Sequence, residues 1–363
     1  MRKLNRQDLH DIVLGAAVLG TGGGGSLEEG LKIIDEALDD GFKFNLACPE
    51  EIPEDGYLGT SYGLGAVSPM DTGDFDKSGE TAETQAMIAM EKYFNREFYG
   101  VIATELGGLN TAAALVTAAR LGKPLIDADP TGRSVPCIQH TFYYLKGIPI
   151  YPITVVNDYG DEMVLPYTSS DERAELLVRA AAMASNDFVG VVDHPAKWRV
   201  LKEALFLNTI SWCLEVGQLV REAQKKSQNY AYSLVEKNNG YILFEGIVSK
   251  TDREDKNGFN YGNIYIEGLG RFSGKTMQIW YQNENIMSWI DDDYYIMSPD
   301  LINIVNNGKN LPLLNPDAEI GMNVTVFGLK AFSAWRSEKG IEVLGPKFFN
   351  FDIEYKKIED AVL

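Results

Sequence analysis

Leu9, Ile12, Val13, Ala16 and Ala17 recur at i, i+3, i+4, i+7 and i+8, so the chain opens on an amphipathic helix. Leu27, Leu31, Ile34 and Leu38 predict a second helix over 27–40, and Ser26 with Glu29 fits a capping box at its start. A short strand is expected at 42–45, a mixed strand and glycine stretch at 57–69, and a polar surface loop over 71–80. A third helix over 81–95 carries Met87, Ile88, Met90 and Phe94 on one side. The apolar run 99–103 has the texture of a buried parallel strand. It is followed by a polar loop, a helix over 111–121 closed by Gly122, and a strand at 123–127. That succession is a βαβ pattern.

Farther on, 148–156 and 162–167 read as a hairpin around Asn157–Gly160. Helices are expected over 171–186 and 196–226, the second from Leu201, Leu205, Ile210, Leu214 and Leu219. From Tyr241 the period changes to two. Strands are predicted at 241–249, 262–268, 275–282, 285–290, 294–297, 324–329 and 341–344, which argues a β-barrel or sandwich. The Trp and Tyr residues at 280–295 belong to its core and rim. The pattern divides the chain into an α/β domain over 1–168 and a second domain over 169–363, a helical pair followed by the β-rich part. Its 363 residues suit two domains of ordinary size.

Charge narrows the partners. With 33 Lys and Arg against 52 Asp and Glu, the net charge is −19. That field repels nucleic acid and anionic membrane surfaces, so neither is expected as a partner. No apolar run reaches 18 residues, and nothing near the start reads as a signal peptide. The scattered Cys48, Cys137 and Cys213 point to a reducing cytoplasm. A homo-oligomer acting on a small molecule is the expected state.

Between the first two helices lies Gly20-Thr21-Gly22-Gly23-Gly24-Gly25-Ser26. It lacks the lysine of a phosphate loop, and the dinucleotide fingerprint needs a strand where this chain predicts a helix. A plain flexible connection is one reading. The other is a ligand-contacting loop, in which Gly22, Gly23, Gly24, Gly25 and Ser26 bring N–H groups to one spot at a helix N-terminus. The densest polar cluster is Asp127, Asp129 and Arg133, with Glu105 and Asn110 one βα unit earlier, at strand ends where α/β sheets bind ligands. Asp127 and Asp129 are two apart, so on an extended segment they face one side and could share a divalent metal. The alternative is that they cap the following turn. His140 is a candidate general base, whereas His10 is expected in solvent and His194 in a structural turn. Cys137 is expected to be inert packing.

VLGTGGGGSLEEG at 18–30, ELGGLN at 105–110, PLIDADPTGRSVP at 124–136 and SPDLI at 298–302 resemble the S-methyl-thiohydantoin desulfurase family. So do GMNVTVFGLKA at 321–331 and AWRSEKGIEVLGPKFF at 334–349. The resemblance implies an N-terminal three-layer α/β domain with a mainly parallel sheet and a C-terminal domain containing a β-barrel. It also implies chemistry on hydantoin-type rings. The chain departs from the family at Cys137, where a Glu is usual after the proline. The leading expectation is a hydrolase acting on a hydantoin, thiohydantoin or related cyclic amide. Asp127 and Asp129 would activate water, directly or through a metal, and Glu105 would carry the proton. Arg133 and the glycine loop would hold a carboxylate or oxyanion. The rival is a non-catalytic accessory subunit of a hydantoinase/oxoprolinase-type system.

Overall fold

The computed structural model describes residues 1–65, 79–186, 188–256 and 258–362. Most of the expected 71–80 loop and the end of the 57–69 stretch lie outside them. In chain order the first part runs β1 (Arg2–Leu4), α1 (Arg6–Leu19), α2 (Leu27–Asp39), β2 (Phe44–Ala47), β3 (Tyr57–Gly65), α3 (Ala82–Phe94), β4 (Gly100–Ala103) and α4 (Gly108–Arg120). It continues through β5 (Leu125–Ile126), β6 (Ala128–Asp129), α5 (Phe142–Lys146), β7 (Ile153–Asn157), β8 (Glu162–Leu165), α6 (Asp171–Met183), β9 (Phe188–Lys197) and α7 (Trp198–Leu201).

Its eight-stranded sheet has the order β1-β2-β5-β4-β3-β9-β7-β8 and is mixed. The four strands β2, β5, β4 and β3 run parallel, while β1, β9, β7 and β8 are joined by antiparallel pairings. Successive strand residues face opposite sides. Leu46, Val101, Ala103 and Leu125 therefore enter the core beneath α1–α4, while Ala47, Ile102 and Ile126 pack with Tyr143 and Trp198 on the other face. Both faces are covered, which is why these strands are continuously apolar, and the three expected layers are present.

The second part contains β10 (Phe206–Leu207), α8 (Thr209–Lys225), α9 (Tyr230–Asn238), β11 (Tyr241–Lys256), β12 (Phe259–Gly268), β13 (Thr276–Gln282), β14 (Glu284–Ile290) and β15 (Asp293–Met297). It ends with β16 (Leu301–Asn306), β17 (Leu311–Pro312), β18 (Asn323–Leu329), α10 (Glu338–Leu344) and α11 (Ile358–Ala361). The two parts interlock. A Cβ on Gly15 of α1 would lie 1.8 Å from the Cys213 carbonyl, and one on Gly217 of α8 the same distance from the Asp11 carbonyl. The two helices cross backbone to backbone there, and only glycine permits it. Beyond the expected boundary at 168, β9 still belongs to the first sheet, where it fills the position between β3 and β7.

Three expectations are corrected. The strands from Tyr241 form an open antiparallel sheet of eight, ordered β15-β14-β13-β12-β11-β18-β16-β17, and no closed barrel occurs among the described residues. The two edge strands do not pair with each other. The two-residue β17 ends in Pro312, which has no N–H to donate. The expected helix 196–226 is interrupted: Phe206 pairs with Asp129 of β6, its ring stacks between Phe142 (4.9 Å) and Phe332 (4.4 Å), and Asn208 takes a left-handed φ of 64° before α8 begins. Tertiary aromatic packing overrides the helical spacing. Residues 341–344 belong to α10, capped by Ser337, and not to a strand; so short an apolar run fits either element.

Candidate functional site

A cleft of about 320 Å³ opens between the two parts of the chain. The glycines 22–25 form one wall, Glu105 and Asn110 the floor, and Glu284 with Asn260 and Asn283 the side contributed by the antiparallel sheet. The connection between α1 and α2 has φ of 87°, 74° and 80° at Gly22, Gly24 and Gly25. A Cβ at Gly24 would meet Gly107 Cα at 2.6 Å, so the loop lies directly on the Glu105–Gly108 turn. It is held from the other side as well. Asn285 N donates to Thr21 O (2.8 Å) and Asn315 N to Gly22 O (2.9 Å). Among the described residues the N–H groups of Gly22 and Gly25 donate to no backbone carbonyl. Ser26 caps α2, its Oγ accepting from Glu29 N at 3.3 Å, and does not line the cleft.

Glu105 follows the carboxyl end of β4 with φ +56°, a conformation a glutamate rarely adopts. Its Oε2 accepts from Asn110 Nδ2 (2.8 Å), and Asn110 Oδ1 accepts from Gly63 N (3.3 Å). Burial, then the charges of Glu284 and Glu175, push the Glu105 carboxyl well above its ordinary value. Glu284 is 2% exposed, and its Oε1 accepts from Ser134 Oγ at 2.8 Å while its Oε2 has no partner. Burial raises this carboxyl to about 7, against the pull of Ser134 and Arg133. A Cβ on Gly23 would fall 2.0 Å from Glu284 Oε1, so the glycine makes room for the acid. Two carboxyls whose protonated forms are favoured by burial therefore share one cleft. Of the residues expected at a site, Glu105, Asn110 and Gly22 to Gly25 line this cleft; Glu284 was not among them. The only trace of it was its position in the Asn283–Asn285 break between two strands.

The other expected residues lie elsewhere. Asp127, between β5 and β6, closes the N-terminus of α8: its Oδ1 accepts from Ser211 N (2.9 Å) and its Oδ2 from Ser211 Oγ. Asp129 Oδ2 accepts from Thr131 N (2.9 Å), Thr131 Oγ1 (2.6 Å) and Gly132 N (2.7 Å), fixing the turn. Burial raises both carboxyls above their usual range. Asp129 thus caps the following turn, as the alternative expected, whereas Asp127 caps a helix 84 residues away; neither carboxylate lines the cleft. Arg133 pairs with neither. Its fully buried guanidinium donates to Ser134 O (3.0 Å), Pro299 O (2.9 Å), Thr21 Oγ1 (3.1 Å) and Asn285 O (3.4 Å), beneath the glycine loop. His140 packs against Phe348 (4.6 Å between rings), outside the cleft, and burial and then Arg133 lower it to about 3. It stays neutral at physiological pH. Cys137 is buried, with its thiol raised well above the ordinary range, so it is no thiolate nucleophile. His10 is half-buried and bonds Asp35 (2.8 Å).

The donor set does not fit a metal. No group of three or more His, Cys, Asp or Glu suited to an ion occurs among the described residues, and the hydrogen-bonded oxygens of Asp127 and Asp129 already accept from Ser211, Thr131 and Gly132. Replacing Asp127 with Ala tests this placement. A helix clamp predicts a loss of about 1–2 kcal/mol in a denaturant melt, with ligand binding in the cleft retained. A folded variant that no longer binds ligand would return Asp127 to the active site.

The glycine-walled cleft lies between the α/β part and the antiparallel sheet, and small-ligand pockets occur preferentially at such boundaries. The chain belongs to the S-Me-THD-like family: residues 7–167 match its N-terminal domain and residues 169–358 its C-terminal domain. It is also similar in fold to a crystal structure of a protein from Chromobacterium violaceum, with a TM-score of 0.78 at 20% identity over 99% of this chain and 100% of the other. None of the curated proteins matches it. No helix among the described residues is long and apolar enough to cross a membrane.

Proposed function

We propose that the protein is a hydrolase-type enzyme acting on a small hydantoin, thiohydantoin or related cyclic amide bound in this cleft. The observation that carries the reading is the pair Glu105 and Glu284 against one glycine wall, two carboxyls that burial raises, Glu105 well above its ordinary value and Glu284 to about 7. Hydrolysis needs one group to take a proton and another to give one. Glu284 as carboxylate draws a proton from water as the water oxygen bonds to the ring carbon. Glu105, still protonated, delivers its proton to the departing sulfur or nitrogen as that bond breaks. The water proton ends on Glu284 and the leaving group carries the proton of Glu105, so one water is consumed and both carboxyls reset by exchange with solvent. Gly22 and Gly25 line the cleft, and their N–H groups would receive the negative charge that develops on the ring carbonyl. Membership in the family supports the ring class.

Thermal melts with hydantoins and their thio analogues test this. Ligand at 100 times its Kd adds about 2.7 kcal/mol to the stability of the native state. A ring that raises the melting temperature and is then hydrolysed supports the reading. If no member of the series binds, the proposal fails and the accessory-subunit alternative gains.

A further inference from the structure

Asn260, near the start of β12, lines the cleft but has no part in the reaction proposed above. It is 7% exposed, and its Oδ1 is buried without a partner. Buried polar atoms in folded proteins are nearly always paired, so an orphan on a cleft-lining residue calls for a partner. The rest of the residue is engaged. Its N–H donates to Asn283 Oδ1 (2.9 Å), its carbonyl accepts from Asn283 N (2.7 Å), and its Nδ2 donates to Asp255 Oδ1 across the β11–β12 pair. Asp255 Oδ1 also accepts from Arg253 Nε (3.4 Å), so the amide nitrogen is the atom that belongs beside it and Oδ1 is the atom left free.

The amide is also held still. Arg179 of α6 donates to Gly258 O (2.8 Å) and lies over the Phe259 ring (4.2 Å), anchoring the entry to β12. On the other side Asn315 Nδ2 donates to Asn283 O (2.8 Å), and Asn315 N to Gly22 O (2.9 Å). The asparagines 260, 283 and 315 thus tie the free oxygen to the glycine wall. Among the described residues that line the cleft, one other side-chain oxygen is buried without a partner, Glu284 Oε2. In the proposed reaction that oxygen takes the proton of water. Asn260 Oδ1 is therefore the acceptor left for the substrate.

We infer that Asn260 Oδ1 accepts a hydrogen bond from a ring N–H, which restricts the substrate to cyclic amides with that nitrogen unsubstituted. The inference rests on this cleft being the ring site of the proposed function. A small cyclic amide is locked cis, so its C=O and N–H lie on one edge of the ring. The cleft offers the opposite set, N–H groups on the glycine wall and a free acceptor from the sheet. A ring lacking the N–H leaves a buried acceptor unpaired, and specificity of this kind is a difference between the two affinities. Asn260 moves no proton; it selects and orients the ring.

The test is calorimetric binding to the full chain. Hydantoin is compared with its two singly N-methylated forms and with succinimide, which has CH2 where hydantoin has one of its two N–H groups and so adds no bulk. In wild type, loss of the N–H that Asn260 holds weakens binding about tenfold to a hundredfold. Asn260→Leu keeps the side-chain volume and removes the acceptor. In that variant the parent ring falls to the affinity of the analogue lacking that N–H, the analogue itself is unchanged, and the discrimination disappears. A variant that only damaged the cleft would weaken every ring and keep the ranking, and a ranking that survives Asn260→Leu overturns the inference. The wild-type arm decides alone should Asn260→Leu not fold: equal affinity for all four rings, as a water resident on Oδ1 would give, also overturns it. Rings that bind in the expected ranking but are not hydrolysed would overturn the proposed reaction and leave this assignment standing. Rings hydrolysed without the ranking would do the reverse, and failure of every ring to bind would remove both.

Discussion

Glu105→Gln is expected to lower hydrolysis of a bound hydantoin or thiohydantoin ring by about 10²–10⁴-fold, the range for loss of a positioned general acid. Binding of the ring, read by thermal shift, should change little, because Gln keeps the carbonyl that accepts from Asn110 Nδ2. The pH profile identifies the partner. Glu284 must be ionised to act as base, so turnover should rise as pH passes through about 7 and should lose that limb in Glu284→Gln. The same shift affects stability. Glu284 has a native value of about 7 against an ordinary 4.5, so its contribution is fully present below about 4.5 and lost as pH rises through about 7. Activity and stability thus move oppositely over one pH window. A rate unaffected by Glu105→Gln would remove Glu105 from the chemistry.

What the sequence carried was local. The spacing of Leu9 to Ala17 and of Leu27 to Leu38 locates α1 and α2 around the glycine loop, and 99–127 gives the parallel βαβ unit whose end bears Glu105. Position along one strand end, however, does not fix which way a carboxylate turns. Asp127 and Asp129 stand two apart as an extended pair should, yet Ser211, eighty-four residues away, and the Thr131–Gly132 turn claim their oxygens. Glu284 was invisible for the opposite reason. Nothing local distinguishes it, and it becomes a site residue only because the Asn283–Asn285 turn docks on Thr21 and Gly22 through bonds from Asn285 and Asn315. His194, expected in a turn, lies instead on β9 at a bulge where the β3–β9 register slips, which no single-strand pattern encodes. SPDLI and AWRSEKG proved structural: Asp300 accepts from Arg336 (2.6 Å), Tyr355 (2.7 Å) and Ile358 N (3.0 Å), fastening the end of the chain.

Arg133 is where fold and site meet, and Arg133→Met should show it. The side chain is 0% exposed, and its donors reach carbonyls from both parts of the chain, Ser134 on one side and Pro299 and Asn285 on the other. Methionine fills much of the same volume but donates nothing, so these carbonyls and the Thr21 hydroxyl each lose a charge-assisted donor. Hydrogen bonds to a charged group contribute about 1.5–3 kcal/mol each, and removing one member of a buried charged network costs about 3–5 kcal/mol. The expected loss, from a urea midpoint at pH 6, is about 3–5 kcal/mol. A second consequence separates this from generic damage to the core. Burial lowers the guanidinium to about 10, still far above neutrality, so Arg133 remains a cation and holds the Glu284 carboxyl below the value that burial alone would impose. In a folded Arg133→Met protein Glu284 should therefore ionise above about 7, and the acid limb of turnover should move upward with it. A stability loss below about 1 kcal/mol would mean that the carbonyls find other donors. An acid limb that stays in place would mean that Arg133 and Glu284 do not sense each other, and the glycine wall would then owe its charge balance to something other than this arginine.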